Sequence, residues 1–208
     1  LSFLSQKLKA KIINIEEKSK PNIDILVSNN RVPWSGHMAG YAIADIYKEI
    51  KKSEGPCFVY SNFKTYGGID AFVRVLKKHG WKDFRQHGEG TKRFAIWSGE
   101  ETIAYKSTLK AVFNQPSNHN GSKLHIMLGS PSIKEGVTLK RLDQMHIIEP
   151  YWNMSRMLQI IGRGVRYCTH ADLPKRRRNV QVFLYLAQTQ DDRESIDTYI
   201  WKMANKKA

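Results

Sequence analysis

Acidic side chains are scarce in this chain. Nineteen Asp and Glu stand against 34 Lys and Arg in 208 residues, a formal charge of +15. Such an excess points to a polyanionic partner, because neutralising phosphates releases their counterions whatever the sequence; it says nothing about fold. Nucleic acid is the expected partner, and a basic face packed on an acidic neighbour is the alternative. Cysteine is scarcer still. Cys57 and Cys168 stand alone, with no C-x-x-C pair, which argues against a disulfide framework and a thiolate metal site. Both are expected to be reduced, buried thiols. The seven histidines include no H-x-x-x-H and no H-E-x-x-H, so no metal ligand set is expected and His125 and His146 read as core or edge residues. No apolar run approaches the roughly 18 residues of a membrane span, and charges run through Leu1–Lys20, unlike a secretory signal. An intracellular location with no membrane partner is expected. Leu1 is not an initiator methionine, so the chain is expected to begin inside a longer protein. Two dipeptides are missing altogether: Gly-Lys and Asp-Glu. Their absence rules out the phosphate cradle G-x-x-x-x-G-K-[ST] and a common metal-holding acidic motif. Gly88-Glu89-Gly90-Thr91-Lys92 has the wrong order and spacing for that cradle, and a turn joining two strands is expected there.

What is present alternates. Leu1–Lys18 carries Phe3, Leu4, Leu8, Ile12 and Ile15 at helical spacing, with Pro21 as a stop and Asn22–Val27 as a short strand. Residues 1–40 are read as an arm or linker, and 41–208 as the main domain. Helices are expected over Tyr41–Lys52, Ile69–Leu76, Glu100–Phe113 and Arg193–Asn205. Strands are expected at Cys57–Tyr60, Arg93–Trp97, Leu124–Leu128, Gln144–Ile148 and Val180–Ala187. The run Cys57–Tyr60 is apolar throughout, as a strand covered on both faces requires. Strands alternating with helices predict an α/β fold with parallel βαβ units.

The most informative stretch is Glu149–Tyr167, E-P-Y-W-N-M-S-R-M-L-Q-I-I-G-R-G-V-R-Y. On a helix, Gln159, Arg163 and Arg166 would share one face at spacings of four and three. Paired guanidiniums form planar forks that match a phosphate, and they stabilise charge developing on a transferring phosphoryl group. A solvated helix face is the plainer alternative. Upstream, Gly129–Leu139 has small residues after a strand, with Ser130 and Ser132 at the carboxyl end where α/β ligand sites lie. Gly67-Gly68 opens a helix with free N–H groups, read either as an anion site or as a satisfied turn. Lys175-Arg176-Arg177-Arg178 is either a solvated turn or a phosphate contact.

Q-x-x-G-R-x-x-R resembles motif VI of superfamily 2 helicases and translocases. Glu149–Asn153 resembles the D-x-x-W-N segment before it in Swi/Snf-type members, with Glu149 for the usual Asp. Gly129–Leu139 resembles motif V, with Thr138 for the common Asn, and Phe58–Phe63 resembles motif IV. The wording F-V-Y-S-N-F and R-F-A-I-W-S-G resembles most the large-DNA-virus members: those of the poxvirus nucleoside triphosphatase I and early transcription factor ATPase types and their giant-virus relatives. The resemblance implies the C-terminal RecA-like lobe of an ATP-dependent motor that works with an N-terminal RecA-like lobe, on DNA or RNA, and in viruses with an RNA polymerase in the virion or host cytoplasm. It implies Arg163 and Arg166 as fingers on ATP, with Gln159 beside them, and Glu135, Gly136 and Gly162 near the nucleotide. Ser61, Asn62, Lys64, Ser130, Ser132 and Thr138 would meet the nucleic-acid backbone. ATP and Mg²⁺ would be held mainly by the other lobe. A non-catalytic nucleic-acid-binding or protein-interaction module on the same scaffold is the alternative.

Overall fold

The computed structural model describes residues 23–27, 42–65, 67–133, 137–187 and 194–206. The helix expected over Leu1–Lys18 and most of the arm lie outside the described residues. In chain order the elements are β1 (Ile23–Val27), α1 (Ile43–Ile50), β2 (Cys57–Tyr60), α2 (Ile69–Lys78), β3 (Lys82–Asp83), α3 (Phe84–His87), β4 (Arg93–Trp97), α4 (Ile103–Phe113), β5 (Ile126–Gly129), β6 (Gln144–Ile147), α5 (Met154–Ile161), β7 (Gln181–Leu186) and α6 (Ile196–Lys206).

Seven strands form one sheet in the order β1-β7-β6-β2-β5-β4-β3, and every pairing is parallel. The expected parallel α/β architecture is what the chain adopts. β2 holds the centre because all four of its residues are apolar and buried. Its side chains alternate: Phe58 and Tyr60 pack with Leu109, Met127, Met157 and Ile160 on one face, whereas Cys57 and Val59 pack with Ile46, Ile50, Ile69 and Phe72 on the other. Helices α4 and α5 therefore cover one face, and α1 and α2 cover the other, as strands buried on both faces demand. β1, from the segment before residue 41, joins the sheet beside β7.

The strand order fixes where a ligand can sit. The chain leaves β2, builds outward and returns through β4 to β5 on one flank of β2, then crosses to β6 on the other. Connections diverge there, leaving a crevice beyond the carboxyl ends of β5, β2 and β6, the place where open α/β sheets bind ligands.

Three local expectations need correction. The helix carrying the Gln159 motif ends at Ile161, with Gly162 as its cap. Gln159, Arg163 and Arg166 thus do not share a continuous helix face. The chain turns instead through Gly162 to Gly164, and Gly164 admits Leu142: a Cβ there would lie 2.5 Å from Leu142 Cδ2. Second, Gly88–Lys92 does not join two strands directly; it follows the one-turn helix α3, which Asp83 caps through Arg85 N at 2.9 Å. Third, Cys57 is buried but Cys168 is exposed, with φ +61°.

Candidate functional site

The crevice is a cleft of about 530 Å³. Tyr60, the last residue of β2, forms its floor with Pro131 and Ile133 of the loop after β5. Asn153, Ser155, Arg156, Gln159 and Ile160 of α5 and its cap, together with Arg163, line the other wall. The wall faces the cleft because α5 starts immediately after the β6 loop. Asn153 accepts the N–H of Arg156 at 3.2 Å, an N-cap worth roughly 1 kcal/mol, while Met157 and Ile161 are buried away from the cleft.

Of the three residues expected to act together, two meet here. Gln159 is exposed to the cleft, and Arg163 lines it while remaining 6% exposed. The Arg163 carbonyl accepts Leu139 N–H at 2.8 Å, fastening this turn to the end of the Gly129–Leu139 loop. Arg166 lies outside the cleft. Its Nη1 donates to Thr138 Oγ1 at 2.8 Å and its Nε to the Gly162 carbonyl at 2.9 Å. Thr138 and Gly162 are thereby Arg166 partners.

A further cation stands in the cleft that spacing arguments passed over. The Arg156 guanidinium lies 4.4 Å from the Tyr151 ring centroid and donates to the Tyr151 hydroxyl at 2.9 Å, a stacked, hydrogen-bonded placement that favours arginine over lysine. Arg156, Gln159 and Arg163 follow i, i+3, i+7, the spacing that could have revealed it. Burial pushes the Tyr60 phenol up from its ordinary pKa, and Arg156 partly opposes that shift.

The remaining candidates are distributed around the rim. Ser61 is fully buried: its hydroxyl lies 2.8 Å from a Glu149 carboxylate oxygen, and Asn62 N–H donates to the same oxygen. A buried carboxylate thus ties the loop after β2 to the loop after β6. Asn62 Oδ1 also accepts the Tyr60 hydroxyl at 3.0 Å. Lys64 is partly exposed and pairs with Glu100. Ser130 is nearly buried, its Oγ 2.9 Å from Ser132 Oγ, and Ser132 is more exposed. Glu135 and Gly136 lie outside the described residues. At the start of α2 the satisfied turn is what forms: Ile69 N–H and Asp70 N–H donate to the Phe63 and Lys64 carbonyls at 3.1 and 2.8 Å. Gly68 is required there, since a Cβ would lie 1.9 Å from Phe63 O.

Neither histidine of the sheet region reaches the cleft. His146 is fully buried, with Tyr185 Oη 2.9 Å from Nδ1 and Gln144 Oε1 3.2 Å from Nε2, and its ring stacks on Phe183 at 5.0 Å. Burial lowers its pKa to about 3, and that of His125 to about 4. Among the described residues no group of three or more His, Cys, Asp or Glu could hold a metal ion, and no helix is long and apolar enough to cross a membrane.

The profile of the helicase conserved C-terminal domain matches residues 41–168. The chain belongs to the helicase C-terminal domain family. A protein of Acanthamoeba polyphaga mimivirus, provisionally named an ATP-dependent RNA helicase, is 52% identical over 152 residues, covering 73% of this chain and 26% of its own length. A termination factor NPH-I homolog of African swine fever virus is 28% identical over 180 residues, covering 70% of this chain and 25% of its own. The helicase C-terminal domain described here therefore spans about a quarter of the length of these curated relatives. Among solved structures, the C-terminal part of the Fun30 ATPase domain superposes with a TM-score of 0.59 at 16% identity, covering 79% of this chain and 45% of that one. The fold is that of a RecA-like helicase C-terminal lobe.

Proposed function

We propose that this domain is the second motor lobe of an ATP-dependent helicase or translocase, and that its cleft receives the phosphates of ATP when a first lobe closes on it. The observation that carries the reading is the cleft itself: the Arg156 and Arg163 guanidiniums and the Gln159 amide converge at the switch point of the sheet, and no carboxylate is among the described residues that line it. That set fits an anion. The described lining offers Mg²⁺ no carboxylate oxygen; the metal and the phosphate cradle are assigned to the other lobe.

In this mechanism Arg163 supplies a bidentate fork to charge developing on the transferring phosphoryl group, and Gln159 orients at its flank. Arg156, braced on Tyr151, neutralises the phosphates already in the ground state. Arg166 joins as a second finger by exchanging its bond to Thr138, so that occupancy of the cleft is felt in the Ser130–Thr138 loop. Asn62, Lys64, Ser132 and Thr138 contact the nucleic-acid backbone from the rim, with Ser61 holding Asn62 in place from beneath. Repeated closure and opening moves the lobes along a strand. The viral origin of these relatives supports a viral setting, and the reading is of a motor on DNA or RNA that serves transcription beside an RNA polymerase, in the virion or the host cytoplasm.

The test uses the intact protein. Arg163→Ala should lower nucleic-acid-stimulated ATP turnover by about 10³–10⁵, as for other arginine fingers, with nucleic-acid affinity little changed. Arg163→Lys should recover little, because a point charge does not reproduce the fork. Full turnover in Arg163→Ala would remove it from the mechanism. Arg156→Gln, by contrast, should raise KM for ATP more than it lowers kcat.

A further inference from the structure

The basic run at residues 175–178 lies far from the cleft. Lys175–Arg177 forms a 3₁₀ turn just before β7, at the amino end of the sheet, whereas the cleft opens at the carboxyl ends. A four-residue strand such as β2 puts about 13 Å between these poles, at roughly 3.3 Å per residue. A phosphate group seated in the cleft lies at the opposite pole of the sheet from the run.

The turn is not a loose solvated segment. Arg177 Nη2 donates to the carbonyls of Glu54 and His119, each at 2.9 Å, and so pins the loops before β2 and β5. Gly55 admits the guanidinium, for a Cβ there would lie 3.0 Å from Nη2. Asp143 completes the frame: its carboxylate accepts Glu54 N–H at 2.8 Å, its N–H donates to the Pro56 carbonyl at 2.8 Å, and its carbonyl accepts Gln181 N–H at 3.0 Å. Arg178 Nε donates to the Leu173 carbonyl at 2.7 Å. On this frame Lys175, Arg176 and Arg178 are exposed, and none forms a salt bridge with a carboxylate among the described residues. Lys51, at the end of α1, is exposed on the loop that Arg177 pins.

The character of the surface decides its partner. A protein interface needs an apolar core, and among the described residues none of the exposed large apolar side chains, such as Phe63, Trp152 and Leu158, belongs to the 175–178 turn or to the loops it pins. A pole with fixed cations and, among the described residues, no exposed large apolar side chain on the 175–178 turn or the loops it pins fits a phosphate backbone. We propose that Lys175, Arg176 and Arg178 form a second nucleic-acid-backbone surface, independent of the cleft, that holds a separate stretch of the same polymer.

The experiment is a salt titration of the intact protein with a fluorescein-labelled mixed-sequence DNA duplex, and in parallel a single strand and an RNA. Wild type is compared with the triple variant Lys175→Glu, Arg176→Glu, Arg178→Glu, and with its Gln counterpart in case charge reversal disturbs folding. Arg177 is left intact because it pins the loops. The magnitude of the slope of log K against log salt should fall by about 2.7 for duplex, at about 0.9 per phosphate released. Affinity should drop at least about ten-fold near 0.1 M salt. Unstimulated ATP turnover should be unchanged in both variants. An unchanged slope in the folded Gln variant returns the surface to solvent or to an acidic protein and overturns the proposal; loss of unstimulated turnover overturns its independence from the cleft.

Discussion

Lowering the pH from 7.5 to 5.0 should remove about 4 kcal/mol of stability through His146 and His125 together. Both rings are held neutral by burial, with pKa values of about 3 and about 4, against about 6.5 in the unfolded chain. A depressed folded value means that the unfolded chain binds the extra proton, so stability is complete above pH 6.5 and is lost as the pH falls toward the folded values. Because both folded values lie below 5, the cost at pH 5.0 is set almost wholly by the unfolded one, about 1.5 pH units or ~2 kcal/mol per ring. Against the 5–15 kcal/mol typical of a domain, about 4 kcal/mol is a large share. The physical cause is visible: His146 lies in the sheet between Gln144 and Tyr185 and stacks on Phe183. His125 lies 2.9 Å from Ser53 Oγ and edge-on to Trp81. Urea unfolding at the two pH values, for wild type, His146→Gln and His125→Gln, measures the effect. Each variant should show a pH-dependent loss smaller by about 2 kcal/mol, since carboxylates such as Asp172, whose pairing with Arg141 lowers its pKa, cancel in the comparison. A His146→Gln variant as pH-sensitive as wild type would mean that the ring titrates normally in the fold.

Two further outcomes follow from packing and exposure. Gly68→Ala places a Cβ 1.9 Å from Phe63 O and should cost about 3 kcal/mol, lowering the thermal midpoint by roughly 6–12 °C; a shift below about 2 °C would refute the close approach. A thiol reagent at neutral pH should label Cys168 and spare Cys57, whose thiol burial pushes up to about 12; two reactive thiols in the native protein would contradict the buried placement.

Much of the architecture was readable because local pattern and burial agree. Cys57–Tyr60 is apolar at every position and became the central strand, and Arg93–Trp97 formed with the boundaries its pattern implied. β3 was missed because two residues, Lys82 and Asp83, carry no period. α5 ends at Ile161, and just beyond it Gly164 meets Leu142, a contact that no helical pattern contains. Among the site residues, Arg163 and Gln159 share the cleft. Ser61 looked like a free hydroxyl in a polar loop, yet its partner Glu149 is 88 positions away. Arg156 went unnoticed because its value lies in Tyr151, which turns a lone surface arginine into a braced one.

The place of β2 between β5 and β6 has a consequence for how the chain is made. Translation delivers β2 long before either strand that will flank it, since β5 begins at Ile126 and β6 at Gln144. Until then its backbone donors and acceptors present two bare edges on a segment buried at every position in the finished sheet, the condition under which nascent chains pair wrongly. The last register to close, β1 against β7, joins Ile23 to Val182, and contacts so distant in sequence form slowly. Synthesis that pauses before residue 126 would hold the chain in its most vulnerable form, so the pace of translation over that stretch and the chaperone capacity that covers it should together set the yield of folded protein.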